Sequence, residues 1–452
     1  MAKRSNIDMI SGPLLSNVIR YTIPIILTGL LQLLFNAADL IVIGCFRGSE
    51  SVGAVGATGS ISNLLVNVFI GLSTGISVVT ANAIGARDSE GVRRTVHTAM
   101  PIALIGGAVL SVIGVTLAEP LLRLMDTPAS ILPKSVLYMQ IYFAGILFNL
   151  VYNFGAAILR AAGNTKSPLI YLTIAGVTNV ILNIVFVTIF SMDVEGVAIA
   201  TVVSQAISSV LVIIKLMRTD ADWRFIPRKM RINMRALQKI AYIGLPAGIQ
   251  GSVFSISNVL IQSSVNSFGA SAVSGNAAAG NIEGFIYVTM NAFYQTTLNF
   301  TGQNIGAGNI NRIGKIVRTN MLTMFAVSVI LSSLAYMFAP QLLSIYITDD
   351  PSAIQIGVTR MTYICLPYFL CGIMEVLVGA VRGTGASLAP MLISILGVCG
   401  IRIVWILTVF KAPAFHSLDS LYFSFIISWL ACIIGYIIYL NIRLSHFKNK
   451  IL

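Results

Sequence analysis

A single acidic residue, Asp39, interrupts a long apolar segment near the amino terminus. The stretch FNAADLIVIG, residues 35–44, follows the apolar run TIPIILTGLLQLL, and the nearest basic residue is Arg47. A charge at the centre of a membrane helix costs about 2.5–3.5 kcal/mol on insertion scales, so such a residue is a functional candidate. Burial disfavours the charged form of a carboxyl group, and a buried carboxyl can bind a proton on one side of a membrane and release it on the other. We predict that Asp39 binds a proton or a cation.

Amide and hydroxyl side chains elsewhere could surround this carboxyl group. Asn179 and Asn183 are spaced i, i+4 and so share one face of a helix, and Thr201 lies on the next apolar segment. An alternative for the asparagines is interhelical hydrogen bonding without a role in coupling. The predicted proton or cation group is Asp39, Asn179, Asn183, Thr201, Asn36 and Asn153.

Two further acids, Glu283 and Glu375, lie within apolar segments of the second half. Glu283 could attract a cationic substrate, or it could be a solvated carboxylate. Glu375 could bind a cation, or it could form a structural ion pair with Arg402 or Arg360. The predicted substrate or cation contacts of this half are Glu283, Glu375, Arg402, Gln250 and Tyr287.

The composition indicates an integral membrane protein. Hydrophobic residues make up 56% of the 452 residues, charged residues only 10%, and the mean hydropathy is +0.87. A soluble chain carries about 25% charged residues. Apolar runs of about 20 residues, long enough to cross a bilayer as helices, recur along the whole chain.

The apolar runs predict an all-α protein with twelve transmembrane helices. Glycine and proline punctuate the runs without breaking them, as helices in lipid tolerate. The first thirteen residues are polar, and no small-residue cleavage site follows the first run, so we predict an uncleaved first helix. The predicted spans are 16–44, 53–82, 97–118, 134–159, 168–190, 195–217, 238–267, 274–301, 318–342, 356–381, 389–411 and 418–442.

The net charge of +13 follows the predicted topology. With both termini in the cytoplasm, 23 of the 29 basic residues lie in inner segments, four lie in outer loops, and Arg360 and Arg402 lie within spans. This asymmetry is the positive-inside signature of a plasma-membrane protein with an even number of spans. The inner residues include Lys3, Arg4 and Lys450, and the inner loop before the seventh span is the most basic. No binding motif accompanies the charge, so a nucleic-acid partner is not expected.

Three pairs of segments repeat at an offset of 221 or 222 residues. Each half therefore holds six spans, and because six is even, the two copies have the same orientation in the bilayer. We predict a six-helix bundle over 1–217, a flexible basic cytoplasmic linker over 218–237 and a second six-helix bundle over 238–452, which rock against each other. The paired segments are IPIILTGLLQLLFNAADLIVIG and LPAGIQGSVFSISNVLIQSSVN, NAIGARDSEGVRRTV and QNIGAGNINRIGKIV, and LRAAGNTKSP and VRGTGASLAP.

These segments resemble the multidrug and toxin extrusion (MATE) family over the whole chain. The resemblance is carried by the first helix with Asn36 and Asp39, by GQNIGAGN after the eighth span, and by the paired LRAAGNTKSP and VRGTGASLAP turns. The family belongs to a larger group that includes lipid-linked oligosaccharide flippases. The resemblance implies cation-coupled export of amphipathic, often cationic compounds from a bacterial cytoplasm.

The resemblance also implies site residues. DinF-like members build an N-lobe proton or cation site from a first-helix Asp and residues on helices five and six, a pattern that Asp39, Asn179 and Thr201 match. Asn183 departs from it, because a second Asp is common there, and this favours H⁺ over Na⁺. Other branches carry a pair of acids on helices seven and ten, whereas here helix seven has none and Glu375 lies about one turn from the usual place.

Enzymatic chemistry is not expected. The chain has no phosphate loop, zinc motif or nucleophile elbow, and its five cysteines and three histidines are scattered near or within spans. We therefore predict a monomeric secondary antiporter without a cofactor, which exchanges H⁺ or Na⁺ for small amphipathic, cationic compounds amid membrane lipids. The alternative is a flippase for a lipid-linked saccharide, although such proteins often have two more spans and a strongly basic cavity.

Overall fold

The computed structural model describes residues 6–348 and 350–451, with the side chains of 450 and 451 excepted. Lys3, Arg4 and the side chain of Lys450, which contribute to the predicted charge asymmetry, lie outside this part. The described chain is helical, and no strand occurs in it. The helices are α1 Leu14–Arg47, α2 Ser49–Gly85, α3 Ser89–Leu124, α4 Leu132–Ala144, α5 Ile146–Ala161, α6 Lys166–Ile184, α7 Val194–Met217, α8 Met234–Asn266, α9 Ala270–Gly306, α10 Ile310–Met337, α11 Ala339–Ser344, α12 Pro351–Arg360, α13 Phe369–Gly383, α14 Leu388–Ser394, α15 Ile401–Leu407 and α16 Leu418–Ile451.

Short π-helical and 3₁₀ segments continue several of these helices. The π segments are Val185–Ile189 after α6, Met361–Cys365 after α12 and Ile395–Gly400 between α14 and α15, and the 3₁₀ segments are Pro227–Lys229, Leu366–Tyr368 and Pro413–Phe415.

All twelve predicted spans fall on these helices. In the described residues, ten helices are long and apolar enough to cross a membrane, or eleven if the pair α4 and α5, bent by 47°, is one span. The remaining predicted span lies in α9, a 37-residue helix with many polar residues that is not among the ten. The fold is therefore that of a multi-pass helical membrane protein.

The internal repeat is visible in the backbone. Three turns adopt a positive φ in both halves at matching positions, although L-amino acids other than glycine rarely take it. At the third of them a Cβ on Gly163 would lie 2.5 Å from the Ile7 carbonyl oxygen, so a side chain is also excluded by space. The pairs are Gly48 (85°) and Gly269 (91°), Arg87 (54°) and Gly308 (72°), and Gly163 (86°) and Gly385 (86°).

The fourth and tenth predicted spans break at equivalent points. The fourth bends at Gly145, between α4 and α5, and the tenth is interrupted by the 3₁₀ turn Leu366–Tyr368, which contains Pro367. Gly145 and Pro367 are 222 residues apart. Proline lacks the backbone donor that would continue the helix, so it breaks the tenth span where glycine bends the fourth.

Contacts divide the chain into two compact units. Unit 1 contains residues 6–8 and Ile23–Gly248. Within it, α2 and the start of α8 cross with their backbones in contact, because a Cβ on Gly71 would lie 2.3 Å from the Gly248 nitrogen and one on Gly75 would lie 2.3 Å from the Ile240 oxygen. Small residues at such crossings let membrane helices pack closely.

The basic segment before α8 is packed against unit 1. Trp223 and Phe225 are buried in its core, and the backbone nitrogen of Ile226 donates to Nε2 of His97 at 3.2 Å. A salt bridge of 3.2 Å joins Arg93 and Asp222. The two aromatic side chains thus bury against the first turns of α3 instead of remaining in water, and the flexibility of the linker stays a prediction.

Unit 2 contains Met9–Thr22 and Ile249–Leu452. The start of α1 thus packs with this unit: Thr22 and Thr296 share a hydrogen bond of 2.8 Å, and the rings of Tyr21 and Phe300 meet edge to face at 5.4 Å. The division by contacts therefore places this segment with the second half, whereas the predicted division at 1–217 and 238–452 follows the repeat and stays a prediction.

Candidate functional site

Two contacts in unit 1 hold α1 in place, one against α6 and one against the segment that follows α6. Phe35 packs on Gly176, where an added Cβ would lie 1.7 Å from the Phe35 ring. At the end of α1, Arg47 donates from Nε to the Met192 oxygen at 2.9 Å and from Nη2 to the Val187 oxygen at 2.8 Å. Asp39 lies between these anchors, one turn after Phe35, so its position relative to α6 is fixed on both sides.

The side chain of Asp39 and three others, those of Asn183, Asn179 and Thr201, form a closed ring of hydrogen bonds. Asn183 donates from Nδ2 to Oδ1 of Asp39 and to Oδ1 of Asn179, the second at 3.2 Å. Asn179 donates to the Thr201 hydroxyl at 3.4 Å, and this hydroxyl lies 3.5 Å from Oδ2 of Asp39. The structure thus brings together the four residues that the sequence grouped most firmly.

The ring has a donor-rich side and one unused acceptor. Asn179 and Asn183 are buried, whereas Asp39 is half-buried. Both oxygens of Asp39 face donors, as an ionised carboxylate requires. Oδ1 of Asn183 is buried and has no hydrogen-bond partner in the part of the chain that the structure describes. This oxygen is an acceptor that a protonated carboxyl could use.

The other two members of the predicted group lie elsewhere. Asn36 is exposed and makes no hydrogen bond to the ring within the described residues. Asn153 donates to the backbone and side-chain oxygens of Asn149 on its own helix, each at 2.9 Å. Within the described residues, neither side chain forms a hydrogen bond with Asp39.

Toward the end of α1 the site is closed by an apolar cluster and then by charges. Ile43 packs with Val187 and Val197 on the neighbouring helices. Beyond it, Lys134 binds Asp193 at 3.0 Å and the Ser51 hydroxyl at 3.1 Å. The sequence analysis missed Arg47 and this charged group as positioning elements, since their spacing in the chain does not indicate that they meet.

In unit 2, Glu283 is paired with Arg360. The two side chains form two hydrogen bonds of 3.0 and 2.7 Å, and Arg360 also donates to Oδ1 of Asn276. The Tyr422 hydroxyl donates to the same oxygen at 3.2 Å. Arg360 therefore pairs with Glu283, and the expectation that it or Arg402 pairs with Glu375 is not met. The negative charge of Glu283 is already matched by Arg360.

Glu375 belongs to a second polar group. It accepts from the Tyr287 hydroxyl at 3.3 Å. Arg382, one of the charges that acts on Glu375, donates to Tyr294 at 2.9 Å and to Gln250 at 2.7 Å. Arg382 is buried in the last turn of α13, which continues to Gly383.

Arg402 is buried apart from these groups. It donates from Nε to the Ser428 hydroxyl at 3.0 Å, and its guanidinium lies 3.8 Å from the centroid of the Phe425 ring. In the described residues it forms no salt bridge.

The chain matches a family model described as MatE over residues 24–185 and 246–408. Among curated proteins it is 30% identical over 390 residues to the probable multidrug resistance protein YpnP of Bacillus subtilis (strain 168), covering 86% of this chain and 87% of that protein. It is 26% identical over 349 residues to the FAD transporter of Shewanella oneidensis, covering 75% of this chain and 76% of that protein.

The fold is shared with solved structures. One is a MOP superfamily transporter from Pyrococcus furiosus, described as having a binding pocket of reverse polarity that suggests a different function. It has a TM-score of 0.92 and 20% identity, and covers 99% of this chain and 100% of that chain. At this identity, the likeness concerns the fold.

Proposed function

The chain belongs to the MatE family of multidrug and toxin extrusion transporters, and from this premise we propose that it exports amphipathic organic compounds in exchange for protons that bind at Asp39. Relatives named as multidrug resistance proteins support drug export. The coupling ion and the exchange mechanism are part of the proposal. The ring of Asp39, Asn183, Asn179 and Thr201 is the observation that carries it.

Protonation of Asp39 changes what the ring can satisfy. An ionised carboxylate accepts from Asn183, and it shares the single hydrogen of the Thr201 hydroxyl, 3.5 Å away, with the Val197 oxygen at 2.9 Å. A protonated carboxyl instead needs an acceptor for its hydrogen, and the free Oδ1 of Asn183 supplies one if the amide rotates. The rotation exchanges Oδ1 and Nδ2 and so breaks the bond from Asn183 to Asn179. Protonation of Asp39 on α1 thereby changes the hydrogen bonds between two side chains of α6.

The same ring favours a proton over Na⁺. Hard cations bind oxygen ligands, whereas Asn183 presents its NH₂ group to Asp39. The ring also contains one carboxylate, which gives a cation less charge to bind than the two-acid pattern of related proteins. We propose that export proceeds by alternating access of the two six-helix halves, with protonation of Asp39 from the outside favouring release of the substrate.

The substrate is proposed as amphipathic without a fixed sign of charge. The relatives include a protein named for FAD as well as proteins named for multidrug resistance. Moreover, Glu283, for which the sequence left open a contact with a cationic substrate or a solvated carboxylate, forms a salt bridge with Arg360. The argument from this acid for cationic substrates is therefore weakened.

Transport by proteoliposomes tests the proposal. The wild-type protein should move a dye against its gradient when a pH gradient is imposed, and Asp39→Asn, which keeps the shape but removes the titratable group, should abolish this. Glu375→Gln removes the other buried acid that lacks a salt bridge in the described residues, and it should retain coupled export. Loss of coupling in Glu375→Gln, with activity retained in Asp39→Asn, would contradict the assignment.

The pH dependence of binding gives a second measure. Substrate affinity of the purified protein should fall as pH is lowered, because protonation favours the releasing state, and Asp39→Asn should flatten this curve. An unchanged curve in that variant would place the coupling proton on another group.

We also propose that the protein lies in the plasma membrane with both termini and the basic segment before α8 in the cytoplasm. The charge asymmetry supports this orientation. Single-cysteine labelling near Arg228 in a cysteine-free variant tests it, and labelling from outside the cell would overturn it.

A further inference from the structure

We propose that Arg402 anchors a binding subsite in unit 2 for the anionic group, a carboxylate or sulfonate, of an aromatic compound. The proposal concerns the cargo of the transporter and so rests on the proposed function. It assigns to this half of the chain a polarity opposite to that of the Asp39 ring.

The first observation is that Arg402 is buried without an acidic partner. The side chain is 5% exposed, and its hydrogen bond in the described residues goes from Nε to the Ser428 hydroxyl. A guanidinium carries five N–H donors, and within the described residues the two terminal Nη groups of Arg402 donate to no acceptor. Charges within membrane segments are rare and generally functional or paired, and Arg402 is not paired.

Two other arginines of unit 2, Arg360 and Arg382, provide a direct comparison. Arg360 donates two hydrogen bonds to Glu283, one to each carboxylate oxygen. Arg382 donates to Tyr294 and Gln250 and interacts electrostatically with Glu375. The charge of Arg360 is thus matched by an acid, and both terminal nitrogens of Arg382 have acceptors, although its buried Nε has no hydrogen-bond partner in the described residues. Arg402 differs from both, because its hydrogen bond in the described residues goes to one neutral hydroxyl group.

The electrostatic neighbours of Arg402 do not replace a carboxylate. They are the Tyr368 phenol and the thiols of Cys371, Cys399 and Cys432. A thiol is a weak hydrogen-bond acceptor, and a phenol is a neutral one at ordinary pH. The polar groups of unit 2 described above hold three arginines, Arg360, Arg382 and Arg402, and two glutamates, so within this set the positive charges exceed the negative charges by one. An anionic ligand would complete the balance.

The surroundings favour an aromatic ligand. The guanidinium lies 3.8 Å from the centroid of Phe425, and the ring of Trp429 meets Phe425 at 6.0 Å and Tyr368 at 5.7 Å. Stacking on Phe425 fixes the plane of the guanidinium, and the bond to Ser428 fixes its rotation. A planar fork held in this way can donate two parallel hydrogen bonds to a carboxylate or sulfonate.

The local backbone also points to a site. A π-helical segment, Ile395–Gly400, directly precedes α15, on which Arg402 lies. Single π turns within membrane helices are frequent at functional positions. This turn brings Gly397 so close to Cys432 that an added Cβ would lie 2.3 Å from its sulfur. The backbone is therefore held in the register that places Arg402 beside α16.

Equilibrium binding of two xanthene dyes tests the proposal on the purified full chain in detergent. Fluorescein is an anion and rhodamine 123 is a cation, and the two share a similar aromatic body. Fluorescence anisotropy at low salt should show fluorescein binding to the wild-type protein. Arg402→Met should weaken it about tenfold or more, as loss of a charge-assisted hydrogen bond predicts. Rhodamine 123 should bind Arg402→Met as well as, or better than, the wild type.

Two further variants separate a binding role from a structural one. Arg402→Lys keeps the charge but loses the planar fork, so fluorescein should bind with intermediate affinity. Ser428→Ala removes the bond that orients Arg402 and keeps the charge, so it should reduce affinity less than Arg402→Met. Thermal unfolding of each variant shows whether it is folded.

Several results would overturn the proposal: no binding of fluorescein to the wild type, equal fluorescein affinity in Arg402→Met, or a parallel loss of both dyes in that variant. The assay requires neither transport nor a proton gradient. If fluorescein binding depends on Arg402 but no pH-driven export is seen, the proposed function fails and the anion subsite stands. If export is proton-coupled but fluorescein binding does not depend on Arg402, the anion subsite fails and the proposed function stands.

Discussion

Asn183 donates a hydrogen bond to Oδ1 of Asp39 while its own Oδ1, also buried, has no hydrogen-bond partner among the described residues. The amide thus contacts the carboxylate with its NH₂ group, and its oxygen stays available as an acceptor. An aspartate at this position would have no donor to offer while ionised. The identity of residue 183 therefore determines which ion the ring can accept.

Asn183→Asp should turn the ring toward Na⁺. Two ionised carboxylates in contact repel each other, so the variant should unfold at a lower temperature than the wild type in K⁺ buffer at pH 8. Na⁺ bound between the carboxylates should restore stability, by about 1.4 kcal/mol when its concentration is tenfold above Kd. Thermal unfolding in matched Na⁺ and K⁺ buffers measures the difference.

Asn153→Asp is the control for this substitution. Asn153 bonds to its own helix and does not contact the ring, so an added acid there should not create a response to Na⁺. Equal unfolding temperatures of Asn183→Asp in Na⁺ and K⁺ would count against the role of residue 183 in ion choice.

The sequence predicted the membrane fold well because its signals are local. All twelve predicted spans fall on helices, and a positive φ at Gly163 and Gly385 favours the same residue type in both copies of the repeat. The spacing of Asn179 and Asn183 likewise placed both amides on one helical face. These inferences need only the geometry of a single helix or turn.

The partners of the buried charges could not be predicted in this way. Whether Arg360 pairs with Glu283 or Glu375 depends on the rotation of α9, α12 and α13 about their axes, which hydropathy does not fix. The packing of Trp223 and Phe225 was missed because the surrounding basic residues dominate the composition of that segment.

Gly176→Ala should disturb the placement of Asp39 although it changes no residue of the hydrogen-bonded ring. The added methyl group would lie 1.7 Å from the aromatic ring of Phe35, so either the Phe35 side chain or α1 must move. Overpacking of this kind costs about 1–3 kcal/mol. We expect a lower unfolding temperature and weaker proton-coupled export.

A second substitution distinguishes the steric cause from others. Phe35→Leu shortens the side chain that Gly176→Ala would strike, so the double variant should recover part of the stability and export lost in Gly176→Ala alone. Additive losses in the two single variants and the double variant would show that this contact does not position α1.

The acid dependence of stability should include a contribution from Asp350. Hydrogen bonds from Ser271, Ser352 and the Ala353 nitrogen lower the pKa of its carboxyl group to about 2, and the group caps α12. Because the folded pKa is lower than the unfolded value of about 3.9, the stabilisation is complete above pH 4 and is lost as pH falls toward 2. Asp350→Asn can still cap the helix but cannot titrate. Its unfolding temperature should therefore fall less steeply below pH 4, and an identical slope would contradict this assignment.

Arg47 should stabilise unit 1 by capping two carbonyl groups beyond α6. Val187 lies in the π segment that follows α6, and Met192 lies in the turn before α7; both carbonyl oxygens accept from the same guanidinium. Arg47→Met removes both donors and should lower stability by about 1.5–3 kcal/mol, the range for hydrogen bonds to charged groups. Arg47→Lys retains the favourable positive charge at the end of α1 but cannot reach both oxygens, so its loss should be smaller.

Arg123→Met provides the matched comparison. Arg123 also lies in the last turn of a long helix, but it is exposed and pairs with Glu119 on the same helix at 2.6 Å, and such pairs contribute about 0–1 kcal/mol. Thermal unfolding should therefore separate Arg47→Met from Arg123→Met. Because Arg47 and Phe35 hold α1 on either side of Asp39, Arg47→Met should also reduce proton-coupled export, whereas Arg123→Met should not. Equal effects of the two substitutions on both measurements would show that the end of α1 is held by other contacts, and that the position of Asp39 does not depend on this anchor.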